Sequence, residues 1–246
     1  MKKLLIILIA CLPILVQAQQ AGEIIFEEKI HFKIELDGEM EGMAAMLPEF
    51  QTSQQSLKFN ESMSLYKPAE EQEDTEINRT EGDNEFRFVM RRPETALFKD
   101  MEAAKRTELR ELFGKRFLIE DALVEYKWKL GAEQKEIHGY VCQKAMLQDT
   151  SRTVEAWFTP QIPISNGPGN FGQLPGMILE LSIDDGERTY TAKEINMGAE
   201  HVKDMNPPKK GKIVSQEEFD AIQKAKLEEM NAEMGGNGTM KVIIRN

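Results

Sequence analysis

Apolar and polar residues alternate along much of this chain, which predicts a protein made mainly of β-strands. At the start of the pattern, Ile24, Phe26 and Ile30 lie two or four positions apart, and charged residues such as Glu23 and Glu27 fill the positions between them. A period of two is typical of an antiparallel strand with one buried and one solvated face. Residues 57–65 and 86–88 repeat it, and the signal returns over 123–130, 139–147, 153–158, 177–183 and 188–195. Asp184-Asp185-Gly186 joins the last two segments and predicts a hairpin turn.

Two stretches interrupt this pattern. Residues 68–85 are polar and acidic, and we interpret them as a long exposed hairpin loop. Residues 99–113 fit two structures. Met101, Ala104, Leu109 and Leu112 could form the apolar stripe of a helix, and the same stretch could form strands of a meander.

The C-terminal region predicts a helix over about residues 215–234. Ser215 and Glu218 have the spacing of a capping box, and Val214 and Phe219 have that of a hydrophobic staple. An extended connector at 206–211 precedes the helix, Gly235 follows it, and residues 240–244 suggest a last short strand. One arc of the helix is apolar and should pack on the sheet: Phe219, Ile222, Leu227, Met230 and Met234.

The N-terminus has the features of an export signal. Lys2 and Lys3 precede an apolar run over 4–16, and Val16-Gln17-Ala18 is a small-residue cleavage site. The run is too short to span a membrane as a helix. We therefore predict a signal peptide at 1–18 and one β-rich domain at 19–246. Cys11 leaves a second reading open, a lipobox in which this cysteine is acylated rather than removed.

Charge and cysteine content narrow the function classes. The net charge is −11, and loss of Lys2 and Lys3 with the signal makes it −13. This argues against nucleic acid and anionic membrane surfaces as partners, because both attract basic patches. Cys142 would be the remaining thiol. A small buried hydrophobe is the simplest role for it; a nucleophile would need an activating group such as His138.

The most informative segment is GPGNFGQLPGMILEL at residues 167–181, a Pro/Gly-rich loop that leads into an apolar strand. Leu174-Pro175-Gly176 predicts a type II turn. The spacing Gly-x-Gly-x-x-Gly at 167–172 matches a dinucleotide fingerprint, but a strand rather than a helix follows, so we predict a turn and no cofactor. The candidate loop residues are Gly167, Pro168, Phe171, Gly172, Leu174, Pro175, Gly176, Met177 and Ile178.

An ordered series of short segments accompanies this loop. Before it come Phe117-Leu118-Ile119-Glu120-Asp121, Trp128, Lys135-Glu136-Ile137-His138-Gly139-Tyr140-Val141-Cys142, Lys144-Ala145, Trp157-Phe158-Thr159 and Ile162-Pro163. With the loop, the series resembles the GLPGLI family of exported Gram-negative bacterial proteins. Gln173 stands where the name motif has its first Gly, which argues against a positive φ there, and Met177 replaces its second Leu.

The resemblance implies a fold but no agreed biochemistry. It implies an α+β, mostly antiparallel protein: a curved sheet or half-barrel like that of periplasmic lipoprotein carriers, with a C-terminal helix. It favours strands over 99–113. It also implies a periplasmic or outer-membrane-associated location in a Gram-negative bacterium.

Three functional hypotheses follow. The first is a non-enzymatic binding or interaction protein for an apolar ligand or an outer-membrane protein, without catalytic residues or cofactors, in which Trp128, Tyr140, Trp157 and Phe158 serve interaction or packing. The second is soft-metal binding, such as copper, through Met40, Met43 and Met46, which could equally be one packed face of a short helix. The third, a thiol enzyme or hydrolase at Cys142, has the least support.

Overall fold

The computed structural model of the chain describes residues 21–31, 34–36, 49–70, 75–81, 84–90, 93–148, 152–234 and 240–242. The predicted signal peptide with Cys11, and the methionines Met40, Met43 and Met46, lie outside these residues. The strands are β1 (Gly22–His31), β2 (Ile34–Leu36), β3 (Phe50–Phe59), β4 (Met63–Pro68), β5 (Thr75–Glu81), β6 (Asn84–Met90), β7 (Thr95–Asp100), β8 (Lys105–Leu112), β9 (Lys115–Ala122), β10 (Trp128–Ile137), β11 (Tyr140–Leu147), β12 (Val154–Thr159), β13 (Met177–Ile183), β14 (Arg188–Met197), β15 (Lys212–Val214) and β16 (Met240–Val242). The helix is α1 (Gln216–Met234).

One large open sheet dominates the described part of the chain. Its twelve strands lie in the order β10-β11-β12-β13-β14-β1-β3-β4-β7-β8-β9-β15. All neighbours are antiparallel except β15, which runs parallel to β9. The sheet is curved and does not close into a barrel. The predicted α+β class, mostly antiparallel with a C-terminal helix, is confirmed.

Several boundaries differ from the predictions. Residues 95–122 form a three-stranded meander, so the strand alternative for 99–113 is correct. The loop predicted for 68–85 is wrong in part, because β5 pairs with β6 along its whole length. Polar composition misled the prediction here, because β5 has a single aliphatic residue, Ile77. The strand predicted at 123 begins only at Trp128.

Alternation along the strands gives the sheet an inner face that carries the core. On β1, Ile24 and Phe26 are fully buried. Their cross-strand partners on this face are Leu57 and Gln55 on β3, and Ile195 and Ala192 on β14. Residues 160–176, which we call the covering loop, connect β12 to β13 and pack on this face. Ile162, Ile164 and Leu174 of the covering loop belong to the same buried cluster.

Helix α1 begins as its sequence predicts and packs over the other end of the sheet. The Ser215 hydroxyl accepts a hydrogen bond from the Glu218 amide (3.1 Å), and the Glu218 carboxylate accepts one from the Ser215 amide (2.8 Å). Val214 and Phe219 are both buried against Phe117 of β9. Leu227 is 48% exposed, so the helix packs on the sheet mainly through its first turns and not through the whole predicted arc. Within the described residues, no helix is both long and apolar enough to cross a membrane.

Candidate functional site

The covering loop is held closely against the sheet by its backbone. Asn166 and Gly172 form an isolated antiparallel bridge, and the amide of Ile178 donates to the Asn166 carbonyl (2.9 Å). Gly176 has a φ of 150°, and a Cβ on it would collide with the carbonyl oxygen of Thr159. Only glycine fits there, because this conformation and this approach both exclude a side chain.

The turn in the loop differs in two respects from the predicted one. The Gly176 amide donates to the Leu174 carbonyl (2.7 Å), an i to i+2 bond typical of a γ-turn rather than a type II turn. Gln173 adopts a φ of 65°, although a positive φ was not expected there. Its side-chain oxygen accepts a hydrogen bond from the Tyr126 amide (2.7 Å), which helps to stabilise that conformation.

Three aromatic side chains meet where residues 169–171 of the covering loop, which we call the loop tip, reach the segment before β10. The rings of Tyr126 and Phe171 stack with centroids 5.0 Å apart, and Trp128 lies 6.5 Å from Phe171. The Trp128 indole N–H donates to the Gly172 carbonyl (2.9 Å). Tyr126 and Phe171 both line a large cleft on the inner face. The stack is therefore a rigid apolar wall beside that cleft.

The cleft has a volume of about 600 Å³ and lies between the covering loop and α1. We call it the inner cleft. It collects residues from β1, β3, β4, β7, β8 and β14, from the loop tip and from α1. Its walls combine charged, polar and aromatic side chains, among them Glu28, Gln55, Tyr66, Leu97, Glu108, Arg110, Tyr126, Phe171, Arg188, Tyr190 and Phe219.

The first polar group of the inner cleft surrounds Glu28. Glu28 lies directly opposite Tyr190 on β14, which donates a hydrogen bond to its carboxylate. Burial raises the pKa of Glu28, and the Arg188 guanidinium, 3.9 Å away, partly offsets that rise. Burial also raises the pKa of Tyr190 and of Tyr66. Among the described residues, the Tyr66 hydroxyl has no hydrogen-bond partner.

The second polar group follows β7 and β8. The Glu108 carboxylate binds the guanidinium groups of Arg106 (2.7 Å) and Arg110 (2.6 Å). Lys99, opposite Arg106, is fully buried and donates to the Phe171 carbonyl (3.0 Å). Burial lowers the pKa of Lys99 to about 7, and the neighbouring Arg106 charge adds to the effect.

The second polar group is tied to both structures that enclose it. Arg106 donates to the side chain of Asn170 at the loop tip (3.4 Å) and to that of Gln216 at the start of α1 (2.8 Å). The Phe219 ring lies 5.4 Å from the Arg110 guanidinium. The loop tip and α1 are thus positioned over buried charges by hydrogen bonds and cation–π contact.

The residues predicted for interaction or packing are not gathered at this cleft. Phe158 is buried in the core, Tyr140 and Trp157 are partly buried against it, and Trp128 supports the loop tip. Trp157 faces outward, with the Lys135 ammonium 4.3 Å from its ring centroid. These four residues therefore do not form one surface.

Cys142 is fully buried and has the inert role that its sequence context favours. Its Sγ contacts the Tyr140 carbonyl (3.5 Å), and burial raises its pKa to about 11. A thiol with such a pKa is a poor nucleophile at neutral pH. The His138 ring instead hydrogen-bonds the Ala192 carbonyl (2.8 Å).

Sequence reasoning missed the polar groups of the inner cleft. Glu28 occupies a core-face position between Phe26 and Ile30, a detectable break in the alternation. Lys99, likewise, lies two residues after the buried Leu97. A buried charge is retained only where it is paired, so such breaks indicate polar sites. No group of three or more metal-binding side chains occurs in the part of the chain that the structure describes.

Comparison with solved structures supports the fold. Structures of PNGF-II in space groups C2 and P21 superpose with TM-scores of 0.51 and 0.53, at 14% and 16% sequence identity. The match covers 83% and 84% of this chain but 33% and 34% of the PNGF-II chains, so this chain spans about a third of their length. A comparison with curated proteins finds no match.

The family match corrects the earlier expectations. The model of the family "N-glycanase peptide, N-terminal domain" (PNGase F-II) matches residues 99–224, just over half of the chain. Assignment to the GLPGLI family, and with it the label of unknown function, is therefore wrong. The expectation of a non-enzymatic protein for an apolar ligand is also wrong: the match is to an enzyme family, and the cleft is lined by charges. The match agrees with the prediction of an exported protein. The chain belongs to the N-glycanase peptide, N-terminal domain family of PNGase F-II.

Proposed function

We propose that this protein acts in N-glycan processing, and that the inner cleft receives the carbohydrate of an N-glycosylated peptide. The observation that carries the proposal is the composition of the cleft in a chain of an N-glycanase family. Carboxylates, guanidinium groups and an aromatic stack line one cavity of about 600 Å³. That volume lies within the range of small-molecule sites.

The charged and aromatic walls of the cleft suit the polar edge and the apolar faces of a sugar ring. A pyranose ring has hydroxyl groups around its edge, which can donate to Glu28 and Glu108 and accept from Arg110 and Arg188. Its C–H faces are apolar and can lie against an aromatic ring such as Phe171. A hydrocarbon ligand would remove solvent from these partly exposed charges and offer no hydrogen bond in return, which is unfavourable.

Glu28 gives the cleft a carboxyl group whose pKa is raised above that of an exposed glutamate. Burial raises its pKa, so its protonated form persists to higher pH than that of an exposed glutamate. A carboxyl group of this kind can donate a hydrogen bond or a proton to an oxygen of the bound substrate. We assign it that role in the proposed function.

The cellular location of the protein is part of the same proposal. We propose a periplasmic or outer-membrane-associated site of action in a Gram-negative bacterium, with glycosylated peptides or proteins as partners. Fractionation of the source cells with an antibody to the chain would test it. Recovery only with the cytoplasm would contradict it.

The function itself is tested with a fluorescently labelled N-glycopeptide and the same peptide without its glycan. We expect the purified protein to bind the glycosylated form preferentially and to release glycan from it. Glu28→Gln and Glu108→Gln should each weaken binding or release by about tenfold, the effect of losing one charged hydrogen bond. Outward-facing Glu194→Gln is the control. Equal affinity for the two peptides, together with no glycan release, would contradict the proposed function.

A further inference from the structure

Two hydrogen-bond donors flank the buried Lys99 side chain on the inner face, and neither has a partner among the described residues. They are the Ser64 hydroxyl and the Arg106 Nε–H, and both residues are at most 5% exposed. Ser64 lies directly opposite Lys99 on β4, and Arg106 lies directly opposite it on β8. Side chains paired in this way have Cβ atoms about 5 Å apart. Burial of an unpartnered donor destabilises the folded state, so two of them beside one lysine indicate a site for an acceptor.

The cluster around Lys99 also carries an excess of positive charge. Glu108 shares its carboxylate between Arg106 and Arg110, so one negative group faces two guanidinium groups even when Lys99 is uncharged. On the next strand, Asp121 lies opposite Arg106 but is exposed to solvent. An acceptor that brings one negative charge beside Arg106 therefore improves both the hydrogen bonding and the charge balance of the cluster.

Lys99 supplies a nitrogen that can carry such an acceptor. Burial, aided by the charge of Arg106 and opposed by that of Glu108, lowers the pKa of Lys99 to about 7. An exposed lysine, with a pKa of about 10.4, is almost entirely protonated at neutral pH, whereas Lys99 keeps a large fraction of neutral amine. The neutral amine has the lone pair that a nucleophile needs. Dissolved CO₂ is a small electrophile that converts such an amine into a carbamate, which has a negative charge and acceptor oxygens.

We propose that Lys99 is a site of reversible carbamylation by CO₂ and that Ser64 and Arg106 hold the product. The Lys99 nitrogen forms a bond to the carbon of CO₂, the electron pair of one C=O π bond moves to oxygen, and one proton leaves the nitrogen for solvent. One carbamate oxygen accepts from the Ser64 hydroxyl and the other from the Arg106 Nε–H. The N–H that remains on the nitrogen keeps its hydrogen bond to the Phe171 carbonyl. This inference goes beyond the proposed function and does not depend on it.

CO₂ reaches Lys99 from the inner cleft. Glu108, Asn170 and Phe171 adjoin the cluster and line that cleft. The loop tip closes over the cluster through two hydrogen bonds, from Lys99 to the Phe171 carbonyl (3.0 Å) and from Arg106 to the Asn170 side chain (3.4 Å). The second bond is long and therefore weak, so a small displacement of the loop tip admits a molecule of the size of CO₂. Return of the loop tip then encloses the carbamate.

The test detects the new N–C bond by NMR. Protein labelled with ¹⁵N at its lysine side chains is incubated with ¹³C-bicarbonate, the source of dissolved ¹³CO₂, at about pH 8, where a lysine of ordinary pKa remains protonated. We expect one ¹³C carbamate resonance that is coupled to a lysine ¹⁵N. The N-terminal amine is unlabelled and gives no such coupling.

Three variants locate the modification. Lys99→Met, which keeps the unbranched apolar part of the side chain, should abolish the resonance. Lys193→Met is the matched control at an outward-facing lysine with a 44% exposed side chain, and it should leave the resonance unchanged. Ser64→Ala should lower the equilibrium constant for carbamate formation by about threefold to tenfold, the effect of one hydrogen bond. Because Ser64→Ala deletes an unpartnered hydroxyl, it should fold at least as stably, which keeps the test decisive if Lys99→Met does not fold.

Urea denaturation separates the covalent product from a bound anion. Because Ser64 and Arg106 hold the carbamate only in the folded protein, bicarbonate should raise the urea midpoint above that in chloride or formate at equal pH and ionic strength. Absence of the coupled resonance from the folded, unmodified protein would overturn the proposal. So would a resonance that persists in Lys99→Met or is unchanged in Ser64→Ala. Equal stabilisation by bicarbonate, formate and chloride, without the coupled resonance, would also overturn it, in favour of a free anion at the two donors.

Discussion

The inner face of the sheet has two halves that are covered in opposite ways. Over β11 to β14 the covering loop adds its own aliphatic side chains, such as Ile162 and Leu174, to a continuous apolar cluster. Over β7 and β8 the face carries Lys99 and the Arg106–Glu108–Arg110 group, and Lys99 and Arg106 each reach the cover through single polar hydrogen bonds. The inner cleft lies between the two halves. Close packing thus encloses the apolar half, whereas the charged half keeps space for a ligand.

The difference between the two halves shows which buried surface stabilises the fold and which destabilises it. Apolar burial over the first half is favourable without any partner. Burial of charge over the second half is unfavourable unless every group is paired, and the lowered pKa of Lys99 records part of that cost. Polar groups that destabilise a fold and face a cleft are characteristic of functional sites.

The largest effect is expected in the apolar half, at Gly176. Gly176→Ala places a Cβ against the Thr159 carbonyl at a φ that alanine avoids, so the loop and β12 must separate. We expect a loss of about 4 kcal/mol in the free energy of unfolding, measured by urea denaturation. Gly169→Ala is the control, because its φ of 55° also disfavours alanine but nothing lies within 4 Å of the added Cβ. It should cost about 1 kcal/mol. Equal losses would mean that backbone strain, and not the close approach, determines the effect.

The apolar half was also the more predictable one. Strand β13 was expected at its observed bounds, and the turn at Asp184-Asp185-Gly186 has positive φ at all three residues. The capping box and the hydrophobic staple at the start of α1 were also predicted correctly. These features depend on interactions between residues that are close in sequence, so the sequence alone is enough to predict them. The turn at Pro175 was assigned to the wrong type, and the close approach of Gly176 to the distant Thr159 carbonyl could not be predicted from the local sequence.

The charged half could not be assembled from the sequence. Arg106 bonds side chains 64 and 110 positions away, and Lys99 bonds a carbonyl 72 positions away. With 42 acidic residues in the chain, no single carboxylate stands out by type. Position on a core face is the usable signal, and it identifies Glu28 and Lys99 once the faces of β1 and β7 are known.

A smaller effect, specific to the charged half, is expected in the pH dependence of stability. The pKa of Lys99 is lowered from 10.5 to about 7 in the folded protein. Between these values the unfolded chain binds a proton that the folded chain does not, so stability rises with pH. Below about pH 7 both states are protonated, and the slope from this group vanishes.

Lys99→Met should remove that slope. From about pH 7 to pH 9, the unmodified protein should gain up to about 1.4 kcal/mol per pH unit relative to the variant. Cys142, whose pKa is raised from 9.0 to about 11, contributes the opposite slope above about pH 9, but it does so in both proteins and cancels in the difference. Urea denaturation of both proteins across the window gives the difference. Parallel pH profiles would show that Lys99 does not titrate there.

The smallest effect concerns the cover of the charged half. Helix α1 contributes Gln216 and Phe219 to that cover, and its start is stabilised by the Ser215–Glu218 capping box. Ser215→Ala removes the hydroxyl that accepts from the Glu218 amide and should lower the free energy of unfolding by about 1 kcal/mol. Ser165→Ala, at an exposed serine of the covering loop, should change it by less than about 0.5 kcal/mol. Hydrogen exchange should localise the loss to the first turn of α1 and to its contacts with β8 and β9, while β11 to β14 keep their protection, because the apolar half does not depend on this helix. Equal deprotection of both halves would instead mean that the inner face unfolds as one unit and that the two covers are coupled through the cleft.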